Sequence, residues 1–170
     1  MFYKSRLKKK AEVLNREMPV VDYLLPYLSR ETAILDVGSG PFSTVGTQAD
    51  GKTVHLTACD IRADIYKRMM DEQGIIPLIP VQKQDMERLT YPSGSFDIVH
   101  CSNAADHTRD PHKAMQEMYR VCKNHGIVYL RHFQGSRNHR HCIEDFPRLP
   151  NSVTKKENGI INTVCRKISQ

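Results

Sequence analysis

The sequence predicts an α/β domain: an open, mostly parallel sheet with helices packed on its faces. Three observations carry that expectation. Short apolar runs alternate with helical segments along the chain. Three of the runs lead into an acid, at Asp36, Asp60 and Asp85. The first run passes directly into a glycine turn, "ILDVGSGP" at 34–41.

The elements follow in order. Val20, Val21, Tyr23, Leu24 and Leu28 are spaced as an entry helix that Pro26 strains or interrupts. Residues 33–37 form a short buried strand ending at the glycine turn. "TVHLTAC" is a second strand, and "RADIYKRMMDEQG" a helix that stops at Gly74. "IPLIPVQ" is a third strand, and "SFDIVHCS" a fourth, entered through the turn "YPSGS". In the next helix Asp110 caps the N-terminus and Pro111 fits the first turn. Met115, Met118 and Cys122 make its i, i+3, i+7 stripe, and Gly126 suits the stop. "IVYLRHF" is a fifth strand. Beyond it, "ENGII" carries an Asn158-Gly159 turn signal that suits either a closing hairpin or a single edge strand.

A chain of 170 residues suits one domain. Its expected parts are a helical entry over 1–30, a cofactor-binding core over 31–133 and a short closing or substrate segment over 134–170. No apolar run approaches the roughly 20 residues that cross a bilayer. No apolar segment follows the basic N-terminus, so a secretory signal is not expected. Five widely separated cysteines point to a reducing cytoplasm rather than a disulfide framework. The net charge of +6 concentrates at 8–10 and 131–148, which fits an anionic partner or a solvated surface.

The glycine turn narrows the ligand. A dinucleotide fingerprint needs a third glycine, and Ser43 stands there. Pro41 removes a backbone N–H where a pyrophosphate would be cradled, and no Gly-Lys-Ser/Thr follows to make a P-loop. The turn thus allows close backbone approach while weakening a phosphate grip. In an open parallel sheet ligands sit beyond the carboxyl ends of the strands. There Asp60 suits ribose hydroxyls, Asp85 an exocyclic adenine amine with Met86 on the ring, and Asp36 an ammonium group.

"ILDVGSGP", "LTACDIRAD", "VQKQDMERL", "FDIVHCSNAADH" and "MYRVCKNHGIVYL" together resemble the successive motifs of class I S-adenosylmethionine-dependent methyltransferases. The resemblance covers roughly 33–133. It implies a Rossmann-like fold and S-adenosyl-L-methionine as cofactor. It also implies a cofactor site of Asp36, Gly38, Ser39, Gly40, Asp60, Ile61, Asp85 and Met86, with Ser102 and Asn103 bordering the transferring methyl. A narrower likeness, through "VGSGP" and "SNAADH", is to small bacterial methyltransferases, some acting on sugars. Two departures stand out. Only thirteen residues separate Gly40 from Val54, so the family's first helix is shortened or lost. The segment after the fifth strand is brief, so the closing strands are open to being incomplete and a partner subunit to completing the acceptor pocket.

Methyl transfer to a hydroxyl gains from a general base. Asp106, His107 and His132 stand where the fourth and fifth strands end. His107 is preferred because imidazole titrates near neutral pH, with Asp106 next to it but not read as orienting it. "CSNAADH" lacks the Asn/Asp-Pro-Pro-aromatic motif of amino-methylating nucleic-acid enzymes, and Cys101 reads as a core residue rather than a nucleophile. His132, His139, His141 and Cys142 match no standard zinc spacing, so no metal is expected. Arg131, Arg137, Arg140 and Arg148 suit phosphate or carboxylate on a substrate. The expected function is methyl transfer to oxygen on a small or glycan-like, anionic acceptor. The alternatives are a non-catalytic cofactor-binding partner subunit, an RNA methyltransferase, and an NAD enzyme, the last disfavoured by Ser43.

Overall fold

A computed structural model of the chain describes residues 2–133, 146 and 148–168. Seven strands form one sheet: β1 (Glu31–Val37), β2 (Thr53–Asp60), β3 (Val81–Lys83), β4 (Phe96–Ser102), β5 (Cys122–Phe133), β6 (Ser152–Glu157) and β7 (Ile160–Arg166). Their order is β3-β2-β1-β4-β5-β7-β6. The first five run parallel, and β7 is antiparallel to both β5 and β6. Chain order reverses across β1 and β4, so a crevice opens beyond their carboxyl ends.

Three helices are described: α1 (Phe2–Leu14), α2 (Ala63–Asp71) and α3 (Pro111–Val121). The Asp110 carboxylate accepts from the backbone N–H of His112 (3.0 Å) and Lys113 (3.1 Å), which fixes where α3 starts. Its Ala114, Met115, Met118 and Val121 pack on Leu35, Val37, Val99, Cys101, Val128 and Leu130. Each fully buried methionine contributes about 1.5–3 kcal/mol by leaving water. The opposite face carries Ile34, Ile98, Ile127 and Tyr129 under Val20, Leu24, Leu28 and Val45. Leu7 of α1 joins Phe42, Tyr66 and Met70, so α1 packs beside α2. No helix among the described residues is long and apolar enough to cross a membrane.

The structure departs from the sequence reading in three places. The entry helix is not at 20–28, where only Leu25–Tyr27 turns, as a 3-10 helix, and the long helix lies earlier, in α1. Val20 and Val21 instead donate backbone hydrogen bonds to the carbonyls of Gln48 (2.8 Å) and Val45 (2.9 Å), partners an isolated helix cannot offer. The third strand is only Val81–Lys83, since Pro77 and Pro80 have no N–H for a ladder and Ile76 is exposed. Gly126 does not stop α3, because β5 begins at Cys122, directly after the helix. A Cβ on Gly126 would lie 2.7 Å from the carbonyl oxygen of Asp97, so glycine there permits close strand approach. Of the two forms the sequence left open for the C-terminal segment, it takes the hairpin. Asn158 and Gly159 turn it with φ of 49° and 72°. As the short spacing after Gly40 implied, no α-helix stands between β1 and β2.

Candidate active site: a cleft along the strand ends

A cleft of about 910 Å³ opens beyond the carboxyl ends of the parallel strands. Ligand pockets usually run about 300–1,000 Å³, so it takes a ligand as large as a modified nucleoside. Four strand exits supply the wall: Gly38 and Gly40 after β1, Asp60 and Ile61 at the end of β2, Asp85 and Met86 after β3, and Asn103 and His107 after β4.

The two glycines serve different ends. Gly38 has φ of 71°, and a Cβ there would lie 2.3 Å from the Cβ of Ala104. It lets the β1 and β4 exits touch. Gly40, at φ of 69°, would meet nothing within 4 Å, so its bareness leaves room for a ligand. The N–H of Gly40 donates to the Asp60 carboxylate (3.0 Å), whose other oxygen accepts from the N–H of Arg62 (2.8 Å). Asp60 is thereby held by two backbone groups, with lone pairs left for hydroxyl donors. Asp85 accepts from the N–H of Glu87 (2.9 Å), and Glu87 accepts from the N–H of Arg109 (2.6 Å) and Asp110 (3.2 Å). These bonds tie the β3 and β4 exit loops together across the cleft floor. Ile61 presents an exposed apolar side chain beside Asp60.

Three expected cofactor residues lie off the wall. Asp36 is buried beneath the turn and is not available to an ammonium group. One of its oxygens accepts from Ser43 Oγ (2.6 Å), and the other pairs with His100 Nδ1 (2.8 Å). The role of Ser43, at the site of the absent third glycine, is thus to hold this acid. Ser39 turns its hydroxyl to the Gly40 carbonyl (3.1 Å), and Ser102 Oγ accepts from Asn103 Nδ2 (3.4 Å). Neither lines the cleft.

His107 lines the cleft and is about half exposed. Behind it Asp106 is fully buried, 3.6 Å from His107 Nε2 and 3.8 Å from His132 Nδ1. The short 3-10 turn at Ala105–His107 brings these neighbouring side chains within ion-pair distance of each other. Burial pushes the Cys101 thiol up to about 12, as it does the Cys59 thiol, so neither is a nucleophile near neutral pH. Arg137, His139, Arg140, His141 and Cys142 lie outside the described residues. Sequence reasoning missed Ala104, Arg62, Tyr66 and Arg109 on the wall and His100 beneath it. Only Ala104 left a trace, because Gly38 needs a small neighbour.

A crevice at the reversal of a parallel sheet, with a glycine turn and strand-end acids, defines a nucleoside-binding α/β protein of the Rossmann type. Residues 35–130, more than half of the chain, match the family model described as "Methyltransferase domain". The chain belongs to that family, the class I S-adenosylmethionine-dependent methyltransferases, whose cofactor is S-adenosylmethionine. Among curated relatives, "Probable methyltransferase ltbC" of Aspergillus luteorubrus is 34% identical over 64% of this chain and 42% of its own length. The "Ubiquinone/menaquinone biosynthesis C-methyltransferase UbiE" of Hydrogenovibrio crunogenus is 30% identical over 59% of this chain and 41% of its own. The chain thus spans about two fifths of the length of these relatives. Of solved structures, a chain resolved with the Trm112 methyltransferase activator of Haloferax volcanii superposes with a TM-score of 0.65 at 13% identity. The match covers 99% of this chain and 96% of that one, a likeness of fold.

Proposed function

We propose that this protein transfers a methyl group from S-adenosylmethionine to an oxygen of a small or glycan-like acceptor, in a reducing cytoplasm. The observation that carries the reading is Asp60, pinned by the N–H groups of Gly40 and Arg62 at the rim of the cleft. The residues present fit the cofactor. Gly38 and Gly40 leave bare backbone, Asp60 accepts from ribose hydroxyls, and Asp85 accepts from the adenine amine between Ile61 and Met86. The ammonium end is left without Asp36, which is buried beneath the turn.

When bound, the cofactor would supply an electrophilic methyl for in-line transfer to the acceptor oxygen, with S-adenosylhomocysteine as the leaving group. Asn103 and Ala104 border that end of the cleft, with His107 beside them. His107 takes the proton from the acceptor hydroxyl. The positive charge it gains then lies 3.6 Å from the buried carboxylate of Asp106. His107 is the proposed catalytic base, and Asp106 its positioning residue.

Thermal melts with S-adenosylmethionine, S-adenosylhomocysteine or NAD test the donor. A ligand at 100 times its dissociation constant adds about 2.7 kcal/mol. Stabilisation by NAD alone would overturn the reading. Labelled methyl transfer into fractionated extracts then identifies the acceptor atom.

A second reading, a cofactor-binding subunit that works with a partner, draws on the fold likeness to the Trm112-bound chain and on the bare crossover between β1 and β2. Turnover by the purified chain alone sets it aside. Cofactor binding without turnover on any fraction supports it.

A further inference from the structure

Arg131 lies near the end of β5, in register with Ser102 of β4 and Asn162 of β7. Its guanidinium carbon is 4.9 Å from the ring centroid of Tyr23 and 5.2 Å from that of Phe133. Two aromatic rings thus hold it by cation–π contact. Among the described residues no carboxylate lies within ion-pair distance of it. Tyr23 does not supply the missing charge, since burial pushes its phenol up to about 12 even though Arg131 pulls it down. The hydroxyl of Tyr23 is 3.1 Å from His100 Nε2, and the acid at the end of that chain, Asp36, is already paired with His100 and Ser43. Among the described residues the charge of Arg131 therefore has no carboxylate partner, at a half-buried position.

The backbone of Arg131 is tied to the wall of the cleft. The Arg131 carbonyl accepts from the N–H of Asn103 (3.0 Å), and Asn103 Oδ1 accepts from the N–H of Phe133 (2.8 Å). Asn103 lines the cleft, so Arg131 is bonded directly to its wall. A second observation points to a ligand. Across the ladder, Asn162 has a buried side-chain oxygen with no hydrogen-bond partner among the described residues. Directly opposed residues of a sheet point to the same face with Cβ atoms about 5 Å apart. A guanidinium fork beside an unsatisfied acceptor suits a molecule carrying both an oxyanion and a hydroxyl.

We propose that Arg131 binds a carboxylate or phosphate oxyanion of the methyl acceptor, with Asn162 accepting from a hydroxyl of the same molecule. This rests on reading the cleft as the methyl-donor site. The two aromatic rings preorganise the fork, and the Asn103 bond holds the backbone beneath it to the cleft wall. The acceptor is a small hydroxylated acid or a sugar phosphate, and Arg131 selects it against neutral analogues.

The test is calorimetric titration of the protein, alone and saturated with S-adenosylhomocysteine, using two matched pairs. These are 4-hydroxybenzoate against 4-hydroxybenzamide, and glucose 6-phosphate against glucose. The anionic member of at least one pair binds tenfold or more tightly than its neutral partner, and the pair that responds separates carboxylate from phosphate. Arg131→Met keeps the stem between the rings and brings the preference below threefold, while Arg131→Lys retains part of it. No preference in either pair overturns the proposal, as does one that survives Arg131→Met. Failure of the wild type to bind S-adenosylhomocysteine would sink the donor reading instead, and the titrations without it remain readable.

Discussion

His100 and Asp36 are neighbours in register on β4 and β1, with His100 Nδ1 2.8 Å from an Asp36 oxygen and both side chains shut away from solvent. A carboxylate only accepts, so Nδ1 carries the proton, and Nε2 is the nitrogen that faces the Tyr23 hydroxyl. The chain from Tyr23 through His100 and Asp36 to Ser43 runs under the glycine turn and joins the N-terminal segment to the cleft floor. Removing one member of such a buried pair costs about 3–5 kcal/mol, because the other is left unpaired. Asp36→Ala is therefore expected to lower stability by that order in urea denaturation. A variant that folds as stably as the wild type but no longer binds S-adenosylhomocysteine would restore Asp36 to direct cofactor contact.

Gly38 and Gly40 should separate in the same assays. Both have positive φ, which costs a residue with a Cβ about 1–2 kcal/mol. Gly38→Ala adds a clash with Ala104, so it is expected to lose more stability than Gly40→Ala. Gly40→Ala should fold well and bind S-adenosylhomocysteine more weakly, because its methyl projects into open space. Equal melting temperatures for the two variants would contradict this.

His107→Ala tests catalysis apart from binding. A positioned base contributes about 10²–10⁴-fold, so turnover on a hydroxyl acceptor should drop within that range. Because the side chain is about half exposed, affinity for S-adenosylhomocysteine and the melting temperature should hold steady. Unchanged turnover would end its role as the base.

Alkaline pH should destabilise the fold. Burial raises Cys59, Cys101 and Cys122 from 9.0 to about 12, and Tyr23 from 10.0 to about 12. The folded state thus keeps protons that the unfolded state releases. Stability from these groups is full below about pH 9 and is lost as pH rises toward 12. The urea midpoint at pH 10 is expected below that at pH 8, with a smaller difference in Cys101→Ala. A midpoint that stays flat across that range would show the thiols to be accessible.

What the sequence by itself determined is what local patterning controls. The alternation of strands and helices, the Asp110 cap, the Met115 and Met118 face and the Asn158-Gly159 turn depend on neighbours a few residues away. The glycine turn and the acids at Asp60 and Asp85 were legible for the same reason, since strand ends carry them to one rim whatever the details of packing. Only the tertiary structure decided which acid faces the cleft. Asp36 looks equivalent to Asp60 along the chain, yet its partner His100 is 64 residues away and reached through strand register. The same holds for Val20 and Val21, which take their partners from the loop at 45–48, and for Arg131, flanked by Tyr23 from the other end of the chain. Periodicity records which face a side chain takes, but the partner it meets there is set by how the strands order themselves in the sheet.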